Sequence, residues 1–186
     1  MDSDTARAKL LDAAEELFYA RGIQTVGMDD IRTASGVSLK RLYQLFPAKE
    51  QLVEAYLERR DTRWRARLSE YVEQFDDPER RVLAVFDWLE LWFAEPGFRG
   101  CAWINSHGEL GAVSEGVTRQ ARHHKEAFRR LLDELVAAAG LPAELSAQLL
   151  LLAEGAMVTA GIFGRTDPAR QGRMAAAALL AVARRG

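Results

Sequence analysis

Lys40, Arg41, Tyr43 and Gln44 fall within five positions, and Lys49 follows five residues later. Lysine and arginine neutralise backbone phosphates and release their condensed counterions. Both also donate to guanine N7 and O6, and a glutamine amide pairs with the edge of adenine. The hydroxyl of Tyr43 suits a phosphate oxygen, a contact that orients without reading sequence. From residue 31 to residue 49 the charged residues are Arg32, Lys40, Arg41 and Lys49, with no acid. That gives +4 locally in a chain of formal net charge −2. The chemistry of this segment points to nucleic acid, although the chain as a whole is not basic.

Those side chains need helices to hold them. Leu10, Leu11, Ala14, Leu17 and Phe18 recur at the spacing of one helical face. Gly22 suits the left-handed position after that helix. Asp29 and Asp30 open a short second helix, as acids favour a helix N-terminus. Gly36 makes a tight turn, and Ser38 is a good N-cap for a third helix ending near Leu45. Two short helices joined by Ala34-Ser35-Gly36-Val37 have the pattern of a helix-turn-helix. Ile31, Val37, Leu42, Leu45 and Phe46 would form its core with Leu17 and Phe18. Ser38, Leu39, Lys40, Arg41, Tyr43 and Gln44 would then face outward. Thr25 stands before the second helix, where a hydroxyl and helix N-terminal amides can bind phosphate. Pro47 marks the start of a fourth helix running to about Gln74. Further helices are expected near 79–95, 99–112, 116–139, 143–163 and 168–184. No segment alternates with a period of two, so the expected fold class is all-α with about nine helices.

This N-terminal region resembles the TetR family of bacterial transcription regulators. The resemblance is carried by AKLLDAAEELFYARG, by the step from Thr25 to Ile31, and most strongly by GVSLKRLYQLFPAKEQL from Gly36 to Leu52. Leu42, Tyr43, Phe46, Lys49, Glu50 and Leu52 match the family's LYxxFxxKExL element. It implies a DNA-binding domain over residues 1–47 and a ligand-binding and dimerisation domain over 48–186. It also implies a cytoplasmic homodimer, most commonly a repressor, released from a palindromic DNA operator by a small-molecule effector. Two recognition helices would enter successive major grooves, with half-sites about one helical turn or slightly more apart. The expected DNA-binding residues are Thr25, Ser38, Leu39, Lys40, Arg41, Tyr43, Gln44 and Lys49. Many family members carry a small residue, often glycine, where this chain has Leu39-Lys40-Arg41, so its operator is not borrowed from relatives.

The rest of the chain speaks through its aromatic and polar residues. Phe86, Trp88, Leu89, Trp92 and Phe93 fall on the fifth helix and Trp103 on the sixth. Core packing is their ordinary account; an apolar pocket between helices is the functional one. Asn105 and Glu109 are four apart and share a helix face, with Cys101 one turn earlier. His123 and His124 follow on the seventh helix, and Glu154 lies in an apolar run on the eighth. Convergence of these groups would give an effector site, a divalent metal site or only a hydrogen-bonded network. The expected ligand-binding residues are Trp88, Trp92, Trp103, Asn105, Glu109, His124 and Glu154, with no resident metal or cofactor.

The last two helices are apolar on most sides, which demands burial. Leu149, Leu150, Leu152, Ala153, Ala156, Met157, Ala160 and Phe163 line one of them. Ala175 to Ala178, Leu179, Leu180 and Val182 line the other. Burial inside one protomer would account for this. The family resemblance implies instead that both helices pair with their copies, and Ala153, Gly155, Ala156, Ala160 and Gly161 would permit close approach.

Composition sets the outer bounds. A single cysteine, Cys101, excludes an intrachain disulfide framework and fits a reducing compartment. The acidic, amphipathic N-terminus lacks the features of a signal peptide. Cys101, His107, Glu109 and His123 are the only candidates for nucleophilic or acid–base work, and no nucleophile motif or phosphate loop accompanies them. An enzyme is therefore not expected. The alternative to a DNA-binding regulator is a dimeric helical ligand-binding or protein-interaction module without DNA binding.

Overall fold

Residues 2–185 are described by a computed structural model. Among them there are nine helices and no strand: α1 (Ser3–Arg21), α2 (Met28–Ser35), α3 (Leu39–Leu45), α4 (Lys49–Glu73), α5 (Pro78–Phe93), α6 (Ala102–Leu110), α7 (Glu115–Ala138), α8 (Glu144–Phe163) and α9 (Asp167–Ala183).

Local chemistry explains the helix ends. The Asp2 carboxylate caps α1, accepting from the Thr5 hydroxyl at 2.7 Å and the Thr5 amide at 2.9 Å. Those two bonds lower its pKa to about 2. The Asp30 carboxylate reaches back to the Gly27 amide at 2.7 Å and closes the start of α2. Asp77 caps α5 ahead of Pro78, whose missing N–H costs nothing at the first helical position. Phe46 is extended, at φ −137° and ψ 87°, as the residue before a proline prefers. Pro47 and Ala48 form a bend, and α4 begins at Lys49 rather than at the proline. Similarly, α6 begins at Ala102, because Gly100 has φ 84°. After α1, Gly22 has φ 86° but an extended ψ of 149°, so it is not the left-handed cap expected of it.

The chain forms two compact units. The first comprises Met1–Thr62 and Ala102–Arg122; the second comprises Arg63–Cys101 and His123–Gly186. The expected boundary at residue 47 follows the functional motif, whereas these units follow packing and draw α6 and the start of α7 in with the N-terminal helices.

In the first unit, Leu10, Ala14, Leu17 and Phe18 of α1 are buried with Ile31, Val37, Leu42, Phe46, Leu52 and Tyr56. Leu45 is only half-buried. Arg59 binds Asp12 at 2.8 Å and Glu15 at 3.0 Å, and Arg60 binds Glu15 at 2.9 Å, which ties α1 to α4. Arg119 of α7 pairs with Glu54 of α4 at 2.7 Å.

In the second unit, α8 packs against α9 and α5. One face of α8 is internal, with Leu149, Ala153, Ala156, Met157 and Ala160 at helical spacing. The opposite face exposes Leu151, Val158 and Ile162, with Phe163 at the helix end. Length and composition alone would let α8 cross a bilayer; here one side of it is core. Ala153, Ala156 and Ala160, expected to help copies approach, instead line this unit's own interior. Gly161 meets Gly100, whose Cα would lie 2.8 Å from a Cβ at that position.

Candidate nucleic-acid interface

The short helix α3 is positioned from below. Ser38 Oγ accepts from the Arg41 amide at 3.3 Å and caps its start. Gly36, at φ 66°, makes the left-handed turn that separates α2 from α3. Val37, Leu42 and Phe46 are buried, and α3 packs against α1 and α2. This anchoring leaves Ser38, Leu39, Lys40, Tyr43 and Gln44 exposed, with Arg41 half-exposed. Leu39 is 44% exposed and Tyr43 46%, large values for apolar and aromatic side chains on a capped helix. Arg41 Nη1 donates to Gln44 Oε1 at 3.3 Å, which aligns the two potential base-reading groups along one face.

The remaining expected residues are distributed differently. Lys49 donates to the Ile23 carbonyl at 2.6 Å and lies 5.9 Å from the centre of the Phe18 ring. Thr25 Oγ1 donates to the Arg21 carbonyl at 2.8 Å and stays exposed. Arg32, counted in the basic window, is paired with Asp29 just outside it at 2.6 Å. That hydrogen bond and the charge attraction lower the Asp29 pKa and raise that of Arg32. The cations presented by α3 are therefore Lys40 and Arg41.

The turn between α1 and α2 is held from two further sides. Glu109 Oε2, on α6, accepts from the Gln24 amide at 3.0 Å. Gln24 Nε2 donates to the Glu109 carbonyl at 2.6 Å. Lys49 completes the hold through Ile23. Beside this turn lies an open cleft of about 410 Å³, lined by Ile23, Gln24, Lys49, Glu50, Val53, Glu109, Leu110 and Val113. Gln24 was not singled out in the sequence; its partner lies 85 residues away, and no local spacing marks it.

The residues expected to bind an effector do not form one group. Trp88, Trp92 and His124 are buried around Trp64, which meets Trp88 at 5.1 Å, Trp92 at 5.6 Å, His124 at 4.8 Å and Phe128 at 5.3 Å, all edge-on. This is closely packed core. Glu154 is bound by Lys125 at 2.6 Å, and the same ammonium lies 3.3 Å from the buried Cys101 sulfur. Burial pushes the Lys125 pKa down, but Cys101 and Glu154 together outweigh it and leave it raised. Trp103 is fully buried on α6, Asn105 is exposed, and the partner of Glu109 is Gln24 rather than a histidine. Among the described residues no group of three or more His, Cys, Asp or Glu is arranged to hold a metal ion.

A capped, outward-facing α3 set against α1 and α2 across a glycine turn defines a helix-turn-helix protein. Residues 10–56 match the model for bacterial regulatory proteins of the tetR family. The crystal structure of SCO4454, a TetR-family transcriptional regulator from Streptomyces coelicolor, superposes with a TM-score of 0.88 at 29% identity, covering 97% of this chain and 96% of that one. A putative TetR transcriptional regulator from Streptomyces avermitilis gives a TM-score of 0.77 at 30% identity, over 87% of this chain and 89% of that one. An uncharacterized HTH-type transcriptional regulator of Mycobacterium tuberculosis is 33% identical over 125 residues, 64% of this chain. The match spans 61% of that relative's length. The chain belongs to the TetR family.

Proposed function

We propose that this protein is a DNA-binding transcriptional regulator that acts as a homodimer, represses its target and leaves a palindromic operator when a small molecule binds. The observation that carries the reading is the chemistry of α3: buried through Leu42, it presents Lys40, Arg41, Tyr43 and Gln44 together. Lys40 and Arg41 reach guanine edges and phosphates, Gln44 reads adenine, and Tyr43 bonds a phosphate. Ser38 shapes the helix start, and Thr25 has a hydroxyl lone pair and exposure to meet the backbone. Lys49 acts mainly by fixing the α1–α2 turn.

The exposed apolar face of α8, with Met174 and Val182 exposed on α9, supports pairing with a second copy through these two helices. C2 pairing is the commonest oligomeric arrangement and gives a palindromic operator its two-fold partner. An effector acts by binding one of two protein conformations better than the other; coupling of about 1–3 kcal/mol weakens DNA binding roughly 5–150-fold. The effector site is proposed for the helical region from α4 to α8. Its members are to be sought at the edges of the Trp88–Trp92 cluster, since the cluster's centre is filled.

The deciding experiment is selection of bound genomic fragments by the purified protein at moderate salt, beside an Arg41→Ala/Tyr43→Ala variant. Enrichment of one or a few palindromic sites, lost in the variant, is the expected result. No enrichment, or equal enrichment by the variant, would defeat the assignment.

A further inference from the structure

The α1–α2 turn leads directly into the helix-turn-helix, and it is clasped from α6 by one residue. Glu109 takes the Gln24 amide on its carboxylate at 3.0 Å and the Gln24 side chain on its backbone carbonyl at 2.6 Å. The carboxylate can come this near because residue 22 is glycine: a Cβ there would lie 3.2 Å from both Glu109 oxygens, on a backbone at φ 86°. Lys49 holds the adjoining Ile23 carbonyl at 2.6 Å, and Thr25 Oγ1 bonds back to the Arg21 carbonyl at 2.8 Å. Three successive residues of the turn are thus fixed by side chains of α4, α6 and the turn itself. The hydrogen bonds of Gln24 are exposed and line the open cleft, so water competes for them. An exposed contact of this kind adds little to global stability. Its geometric effect is larger, because the turn sets where α2, and with it α3, leaves α1.

We propose that Glu109 is a positioning residue for operator recognition, acting through Gln24 to hold the α1–α2 turn in the pose that aligns α3 with base edges. The proposal rests on the reading of α3 as the recognition helix. Phosphate contacts depend on charge and tolerate small misalignment; bidentate base contacts do not. Loss of the clasp therefore weakens specific binding more than non-specific binding.

The test compares wild type, Glu109→Ala, Glu109→Gln and Gln24→Ala by fluorescence anisotropy, on a selected operator duplex and on a scrambled duplex, across a salt series. Expected for Glu109→Ala is about a tenfold loss on the operator, with scrambled-duplex affinity and salt slope within about twofold of wild type. Glu109→Gln keeps an acceptor for the Gln24 amide and should recover most of the loss. Gln24→Ala keeps its backbone amide and should show a smaller loss. Equal weakening on both duplexes, with a lowered melting temperature, would mean that Glu109 is merely structural and would overturn the proposal. So would an unchanged operator affinity or a failed Gln rescue. A wild-type protein that binds neither duplex would overturn the recognition-helix reading and this proposal together.

Discussion

α3 and α8 are each half sunk into their own unit, yet they show solvent opposite chemistries. α3 buries Leu42 and turns out lysine, arginine, tyrosine and glutamine; α8 buries Leu149, Ala153, Met157 and Ala160 and turns out Leu151, Val158 and Ile162. A helix with one apolar stripe needs one neighbour. A helix with two opposed stripes needs two, and the second is not supplied by its own unit. The polar face of α3 is complementary to a polyanion, and the apolar face of α8 to another apolar face. The contrast supports the proposal of DNA as partner of the first and a second copy of the chain as partner of the second.

The largest effect should come from breaking the α8 half. Leu151→Asp with Ile162→Asp places two charges per copy on the outward stripe while leaving the buried one untouched. With roughly 1.5–3 kcal/mol for each large apolar side chain removed from a buried interface, association should weaken a thousandfold or more. Sedimentation velocity should then report a monomer with unchanged helix content; a persistent dimer would move the interface elsewhere. Next comes the α3 half. Arg41→Ala with Tyr43→Ala should cost roughly a hundredfold in operator affinity, from about 1–3 kcal/mol for the Arg41 base contact and the added loss of the Tyr43 phosphate contact, with the melting temperature barely altered.

A finer cut separates the two sides of α3. Leu42→Ala, at a fully buried position, should lower unfolding stability by about 2 kcal/mol in urea. Leu39→Ala should change it by less than about 0.5 kcal/mol. If the two losses are alike, α3 is not oriented as described. The smallest effect concerns Lys125. Its raised pKa means that its contribution to stability is present in full below the ordinary lysine value of 10.5 and fades as pH rises through the higher folded value. Wild type should therefore lose its advantage over Lys125→Met only above about pH 10.5, as followed by thermal melts across that range.

How far such features can be read from sequence depends on their range. Helix-forming periodicity, the Ser38 cap, the Gly36 turn and the outward set on α3 are local, written within a few residues, and were legible. A local rule also explains one shortfall: the positive φ of Gly100 delays α6. The Gln24–Glu109 clasp and the Cys101–Lys125–Glu154 group join residues far apart in the chain, and nothing in their spacing predicts the pairing. Asn105 and Glu109 shared a helical register, and with the histidines of the seventh helix a plausible chemistry. Register fixes which residues share a face, but not what that face meets.

The tryptophan cluster has a further consequence. Trp64, Trp88 and Trp92 lie within 5.1 to 5.7 Å of one another, with the latter two rings nearly parallel at 20°. Indole transitions held so close and so rigidly mix with one another, and the resulting exciton couplet in circular dichroism depends on the relative angles of the rings. The second unit thus contains its own optical goniometer, able to register a rotation of a few degrees within its core without any label attached.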